Sequence, residues 1–113
     1  MPLPAPLSDE LVDLIARRFR VLGEPMRIKL LNELRDGEAS VNDLAGVLGA
    51  SQQNISKHLG VLTEAGVLVR RKDGTRIFYR IVDDSVFAIC EQVCGSLSEQ
   101  LRALNDVVAG VRA

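Results

Sequence analysis

Apolar side chains recur every three or four positions in five stretches of the chain, each bounded by residues that start or stop helices. Ser8, followed by Asp9 and Glu10, heads a segment carrying Leu11, Leu14, Ile15, Phe19 and Leu22 and stopping at Gly23. Glu24-Pro25 restarts the chain, with proline at the first helical position, and Ile28, Leu30, Leu31 and Leu34 predict a second helix reaching Gly37. Ser40-Val41-Asn42-Asp43 has the Ser-x-x-acid form of a capping box ahead of Leu44, Val47 and Leu48, and Gly49 stops that helix. Ser51 then caps a fourth helix, in which Ile55, Leu59 and Leu62 make a core-facing stripe and Gly66 is the natural residue after its end. The fifth stretch is long: behind Asp83 or Asp84 it carries Val86, Phe87, Ile89, Cys90, Val93, Cys94, Leu97, Leu101, Leu104 and Val108.

The period changes between the fourth and fifth helices. Val67 to Arg71 and Arg76 to Ile81 are rich in β-branched and aromatic residues, and Arg76, Phe78 and Arg80 alternate with Ile77, Tyr79 and Ile81. Asp73-Gly74 is a favoured two-residue turn, so this region predicts a β-hairpin. Two short capped helices joined at Gly49-Ala50 and followed by a hairpin make a helix-turn-helix with a wing. The expected fold is mainly α with a small β-hairpin: about five helices plus a two-stranded wing.

The outward face of the fourth helix suits a DNA groove. Gln52, Gln53, Ser56 and Lys57 are hydrogen-bonding side chains near its N-terminus, Gly60 allows close approach, and Gln pairs well with adenine edges and Lys with guanine or phosphate. Ser51, Gln52, Gln53, Asn54, Ser56 and Lys57 are therefore the candidate DNA contacts of the helix, and Arg70, Arg71, Lys72 and Arg76, clustered at the hairpin tip, are those of the wing. Taken alone, a polar helix face can be merely solvated, and a basic hairpin can merely resist edge pairing. The two features predict the same surface independently.

Charge sharpens the picture. The whole chain carries a net charge of −1, but residues 51–81 hold six basic against two acidic residues, a net of +4, leaving −2 before them and −3 after. Net positive charge is thus concentrated on the segment that would meet phosphates. With 113 residues and 47% hydrophobic content, the expectation is an N-terminal flexible arm over residues 1–7, containing Pro2, Pro4 and Pro6, and a single winged-helix DNA-binding and dimerisation domain over 8–113. No apolar run approaches the roughly 20 residues needed to cross a bilayer, and no signal peptide is read, so a cytoplasmic protein without a membrane partner is expected. The first and last helices carry more apolar surface than a small core can cover, which predicts an isologous homodimer built from them.

At this point the chain resembles the ArsR/SmtB family of small dimeric winged-helix repressors. The resemblance is carried by GEPMRIKLLNELRDGE (23–38), SVNDLAGVLG (40–49), SQQNISKHLGVLTEAGVLVRRKDG (51–74) and RIFYRI (76–81), and extends over most of Leu11 to Leu101. It implies a winged helix-turn-helix transcriptional regulator that binds double-stranded operator DNA and is released by a metal ion, a metalloid or thiol oxidation. It also implies departures. Where many relatives carry a Cys-x-Cys pair, this chain reads Glu38-Ala39-Ser40-Val41-Asn42-Asp43-Leu44. The family's zinc positions on the last helix fall on Asp83, Ser85, Ser96 and Glu99, so both imidazoles are missing and a tight zinc site there is not expected.

Cys90 and Cys94 are the remaining candidates for an effector site. At i and i+4 they share a helix face about 5 to 6 Å apart, whereas a disulfide wants Cβ atoms about 3.8 Å apart. An intrahelical disulfide is disfavoured, while two thiolates could hold a thiophilic metal or metalloid, complete a four-sulfur site across a dimer axis, or link two subunits. The alternative is that both are small core hydrophobes and no cofactor is bound. His58, the sole histidine, reads as a hydrogen-bonded structural residue, and Met26 and Tyr79 as packing residues. No phosphate-binding glycine loop, nucleophile elbow or metalloprotease spacing is present, so an enzyme is not expected. The rival readings are a winged-helix dimer acting through protein contacts and a repressor with no small effector.

Overall fold

The computed structural model describes residues 2–108 and 110; Met1 of the expected arm and residues 109 and 111–113 of the expected domain lie outside the described residues. The order is α1 (Asp9–Leu22), α2 (Pro25–Glu33), β1 (Ala39–Ser40), α3 (Val41–Leu48), α4 (Gln52–Glu64), β2 (Leu68–Asp73), β3 (Arg76–Ile81) and α5 (Ser85–Val108). Two compact units divide between Asp83 and Asp84. Residues 2–7 form no helix or strand.

α1, α2, α3 and α4 each start where a side chain can satisfy an amide of the first turn. The Ser8, Ser40 and Ser51 hydroxyls each accept from the backbone N–H three residues on, at 3.1 Å. Glu24 does the same for Arg27 at 3.1 Å, with Pro25 at the first helical position as expected. α3 stops at Gly49, whose left-handed φ of 62° turns the chain into α4. Gly66, at φ 81°, follows the end of α4.

Three details depart from the expectations. α2 ends at Glu33 rather than continuing to Gly37, because the chain tightens into a turn in which the Arg35 and Gly37 amides reach back only three residues, to Asn32 and Leu34. The hairpin loop is Gly74-Thr75 rather than Asp73-Gly74, since Asp73 pairs with Arg76 as the last ladder pair. Gly74 at φ 62° followed by a residue of negative φ fits a type II′ turn, with glycine in the first central position. The sheet has a third strand: β1 pairs antiparallel with β3, Ala39 with Tyr79 and Ser40 with Phe78, giving the order β1-β3-β2.

The core of the first unit is built from Leu22, Leu30, Leu31, Leu34, Leu44, Ile55, Leu59, Leu62, Val67, Leu68 and Tyr79, all buried. Ile55, Leu59 and Leu62 form the expected stripe of α4, and each such side chain contributes about 1.5–3 kcal/mol through burial. Val47, expected on the inner side of α3, is 65% exposed, and Ile28 also reaches solvent. α1 buries only Leu22 fully and leaves Val12, Leu14 and Phe19 exposed. α5, a 24-residue helix, exposes Val93, Leu97, Leu101 and Leu104 along its length. Among the described residues no helix is long and apolar enough to cross a membrane.

Candidate nucleic-acid interface

With its apolar stripe fixed in the core, α4 turns Gln52, Gln53, Ser56, Lys57 and Gly60 outward, and all five are exposed. A Cβ placed on Gly60 would meet nothing within 4 Å, so the middle of this face is open. Asn54, also expected to touch DNA, is half-buried and less available than its neighbours. The Ser51 oxygen is occupied as the helix cap, which leaves its O–H as the group it can offer a ligand.

The inner side of the same helix is anchored by His58, which is only 8% exposed. Its Nδ1 lies 3.2 Å from the Arg27 guanidinium and 3.7 Å from a Glu24 carboxylate oxygen. A guanidinium can only donate, so Nδ1 is the acceptor and the ring proton sits on Nε2. The structural role expected of His58 holds: it ties α4 to the start of α2.

The wing stands beside this helix. Ser40, Asn42, Gln52, Ser56, Thr75, Arg76 and Ile77 surround a cleft between the starts of α3 and α4 and the hairpin turn, so Gln52 and Ser56 of the helix meet Arg76 of the wing along one depression, and the other candidate contacts lie outside it. Thr75 was not singled out by sequence; its place follows from the turn register. The four wing cations differ sharply in their surroundings. Arg71 donates from Nε and Nη2 to the two oxygens of Glu38, at 3.0 and 2.7 Å, and lies 3.7 Å from Asp73. Arg76 donates to the Ser40 hydroxyl at 3.1 Å and lies 3.4 Å from Asp43. Both guanidinium groups sit over the Phe78 ring, 4.7 and 5.0 Å from its centroid. Arg70 and Lys72 are exposed and have no ion-pair partner among the described residues. The Arg71 hydrogen bonds hold the Glu38 carboxyl below its ordinary range, against a smaller opposing effect of desolvation. Glu38 is a residue that reading by sequence did not place in the site, because its link to Arg71 spans 33 positions.

The candidate effector residues lie on α5. Cys90 is half-buried, Cys94 is exposed, and both are free thiols. Among the described residues no group of three or more His, Cys, Asp or Glu side chains is placed to hold a metal ion. Two thiolates from one chain therefore do not complete a tetrahedral site, and further ligands would have to come from elsewhere. At the family's zinc positions, Asp83 accepts a hydrogen bond from Arg18 at 2.8 Å and Glu99 lies 3.4 Å from Arg102.

Residues 22–71 match a family described as a helix-turn-helix domain. KmtR, an HTH-type transcriptional regulator of Mycobacterium tuberculosis, is 41% identical over 83 residues, which cover 74% of this chain and 64% of KmtR, less than two thirds of that protein. A homodimeric winged helix-turn-helix DNA-binding domain from Mycobacterium bovis, described as a possible ArsR-family regulator, superposes with a TM-score of 0.72 at 30% identity, covering 88% of this chain and 95% of that one. The antimony-specific transcriptional repressor AntR gives a TM-score of 0.77 at 29% identity, covering 88% and 90%. All three are named or described as transcriptional regulators rather than enzymes. A helix-turn-helix built on α3 and α4, a basic wing on β2 and β3, and these relatives agree: the chain belongs to the ArsR/SmtB family of winged helix-turn-helix transcriptional regulators.

Proposed function

We propose that the chain is a cytoplasmic, homodimeric repressor that holds a two-fold operator through α4 and the wing, and lets go when a thiol-reactive effector engages Cys90 and Cys94. The observation that carries the DNA-binding part is the exposed face of Gln52, Gln53, Ser56 and Lys57 on α4, of which Gln52 and Ser56 line one cleft with Thr75 and Arg76 of the wing. Gln53 and Lys57 read base edges, and exposed cations of the wing meet phosphates. The homodimer is supported by the exposed apolar residues of α1 and α5 and by the homodimeric state of the M. bovis neighbour. A dimer also places two reading helices for two half-sites.

Effector release is supported by the exposure of Cys94 one helical turn from Cys90 and by the antimony specificity of AntR, which favours a soft metal or metalloid over a hard cation. Such an effector acts by binding the DNA-free dimer more tightly than the DNA-bound one, and the coupling is reciprocal. The test is release of promoter DNA by arsenite, antimonite, zinc, cadmium or an oxidant, followed by fluorescence anisotropy, in the reduced protein and in the Cys90→Ser/Cys94→Ser variant. Release by one of these that the variant loses supports the sensor. An identical response in both proteins removes the cysteines from it, and tight binding indifferent to every effector leaves a repressor without one.

A further inference from the structure

The wing offers four cations to a DNA backbone, and the register sorts them onto two faces. Successive strand residues point to opposite sides. Arg71 pairs with Phe78, which pairs on its other side with Ser40, so these three stand on one face. Arg76, two residues before Phe78, belongs to it as well. Arg70 pairs with Tyr79 and Lys72 with Ile77, on the other face.

The first face works as a strap. β2 and β1 are not neighbours, since β3 lies between them, yet Arg71 on β2 reaches across the Phe78 ring to Glu38, the residue just before β1. Two parallel N–H···O bonds use the flat edge of the guanidinium that would otherwise grip a phosphate. Arg76 ties the start of β3 to the Ser40 hydroxyl that also caps α3. A two-stranded hairpin alone holds its angle poorly, and these links fix it to the helix-turn-helix. The second face packs inward through Leu68 and Tyr79, yet Arg70 and Lys72, nearer the turn, stay exposed and have no ion-pair partner among the described residues.

We infer that Arg71 and Arg76 are positioning residues, strapped to Glu38 and Ser40 to set the wing, and that Arg70 and Lys72 are the wing's phosphate contacts. This division of labour rests on the operator-binding reading above. It makes a prediction of unusual sign. If Arg71 bound DNA, the Glu38 carboxylate would compete for it and repel phosphate, so removing that charge would tighten binding. If Arg71 sets the wing, removing the same charge weakens binding.

The experiment measures anisotropy of the full chain on its own promoter DNA between about 50 and 200 mM salt, with Glu38→Gln, Arg71→Gln, Arg70→Gln and Lys72→Gln. The expected result is about tenfold weaker binding for both Glu38→Gln and Arg71→Gln, the size of a lost charge-assisted hydrogen bond, with the salt slope of wild type. Arg70→Gln and Lys72→Gln each lower that slope by about one. Tighter or unchanged binding of Glu38→Gln, or a slope reduced by about one in Arg71→Gln, overturns the inference. A second readout needs no DNA: ¹⁵N relaxation of the hairpin amides, residues 70–76, in the free protein. Nanosecond mobility should rise in Glu38→Gln and Arg71→Gln, and a hairpin as rigid as wild type in both overturns the strap. Should the wild type not bind its promoter at all, the operator reading fails, while relaxation still decides whether Glu38 and Arg71 hold the wing.

Discussion

The guanidinium of Arg27 lies 3.2 Å from Nδ1 of His58 and also donates to the carbonyl oxygens of Val21 and Arg20, at 2.5 and 3.2 Å. One side chain thus satisfies the carbonyl end of α1, starts from the first turn of α2 and holds the buried side of α4. Helix ends leave carbonyls without intrahelical partners, and a cation there is favourable twice, as donor and as charge.

Arg27→Met keeps the bulk and removes every donor. It should destabilise the fold by about 1–3 kcal/mol, because His58 Nδ1 and the Val21 carbonyl lose their partner in a part-buried setting. Urea unfolding at fixed protein concentration checks this, and a midpoint equal to that of wild type would mean that water replaces the guanidinium without cost.

Gly49→Ala tests the turn between α3 and α4. A Cβ there meets nothing within 4 Å, so the whole effect comes from the φ of 62°. The expected loss is about 1–2 kcal/mol, the cost of a left-handed conformation for a residue with a side chain, read from the same unfolding curves.

The strap at the wing is pH-dependent in a definite direction. Glu38 titrates below its ordinary value of 4.5 in the folded protein because Arg71 hydrogen-bonds its charged form. A depressed carboxyl contributes stability that is present above the unfolded value and is lost as pH falls through the folded one. The Glu38 side-chain carboxyl carbon, followed by NMR, should therefore titrate below 4.5, and Arg71→Gln should bring the midpoint back up. A midpoint that ignores the substitution would show that the pair does not form in solution.

Gln53→Ala should cost about 1–3 kcal/mol on the operator and little on random DNA, as expected for a side chain that pairs with a base edge. Equal losses on both duplexes would assign it to the backbone.

How much of this was legible in the chain depends on sequence distance. Ser8, Ser40 and Ser51 announce their helices because a cap acts over three residues, and the period of Ile55, Leu59 and Leu62 fixes which side of α4 is left for a ligand. β1 could not be read, since two residues carry no alternation and Ala39–Ser40 is a strand only by pairing with β3. The turn slipped by one position because Asp-Gly and Gly-Thr are both acceptable loops, and only the ladder decides. Val47 fits an apolar stripe yet faces solvent, and the wing cations look equivalent until their partners at Glu38, Ser40 and Asp43, more than thirty positions away, are seen.

The proposed function requires that α4 and the wing bind a specific operator. It is tested most directly by the affinity of the reduced, metal-free protein for its own promoter against a scrambled duplex of equal length at physiological salt. A preference of about a thousandfold or more is expected, with affinity for both duplexes falling steeply as salt rises. Equal affinity for the two duplexes, or none for either, would contradict it.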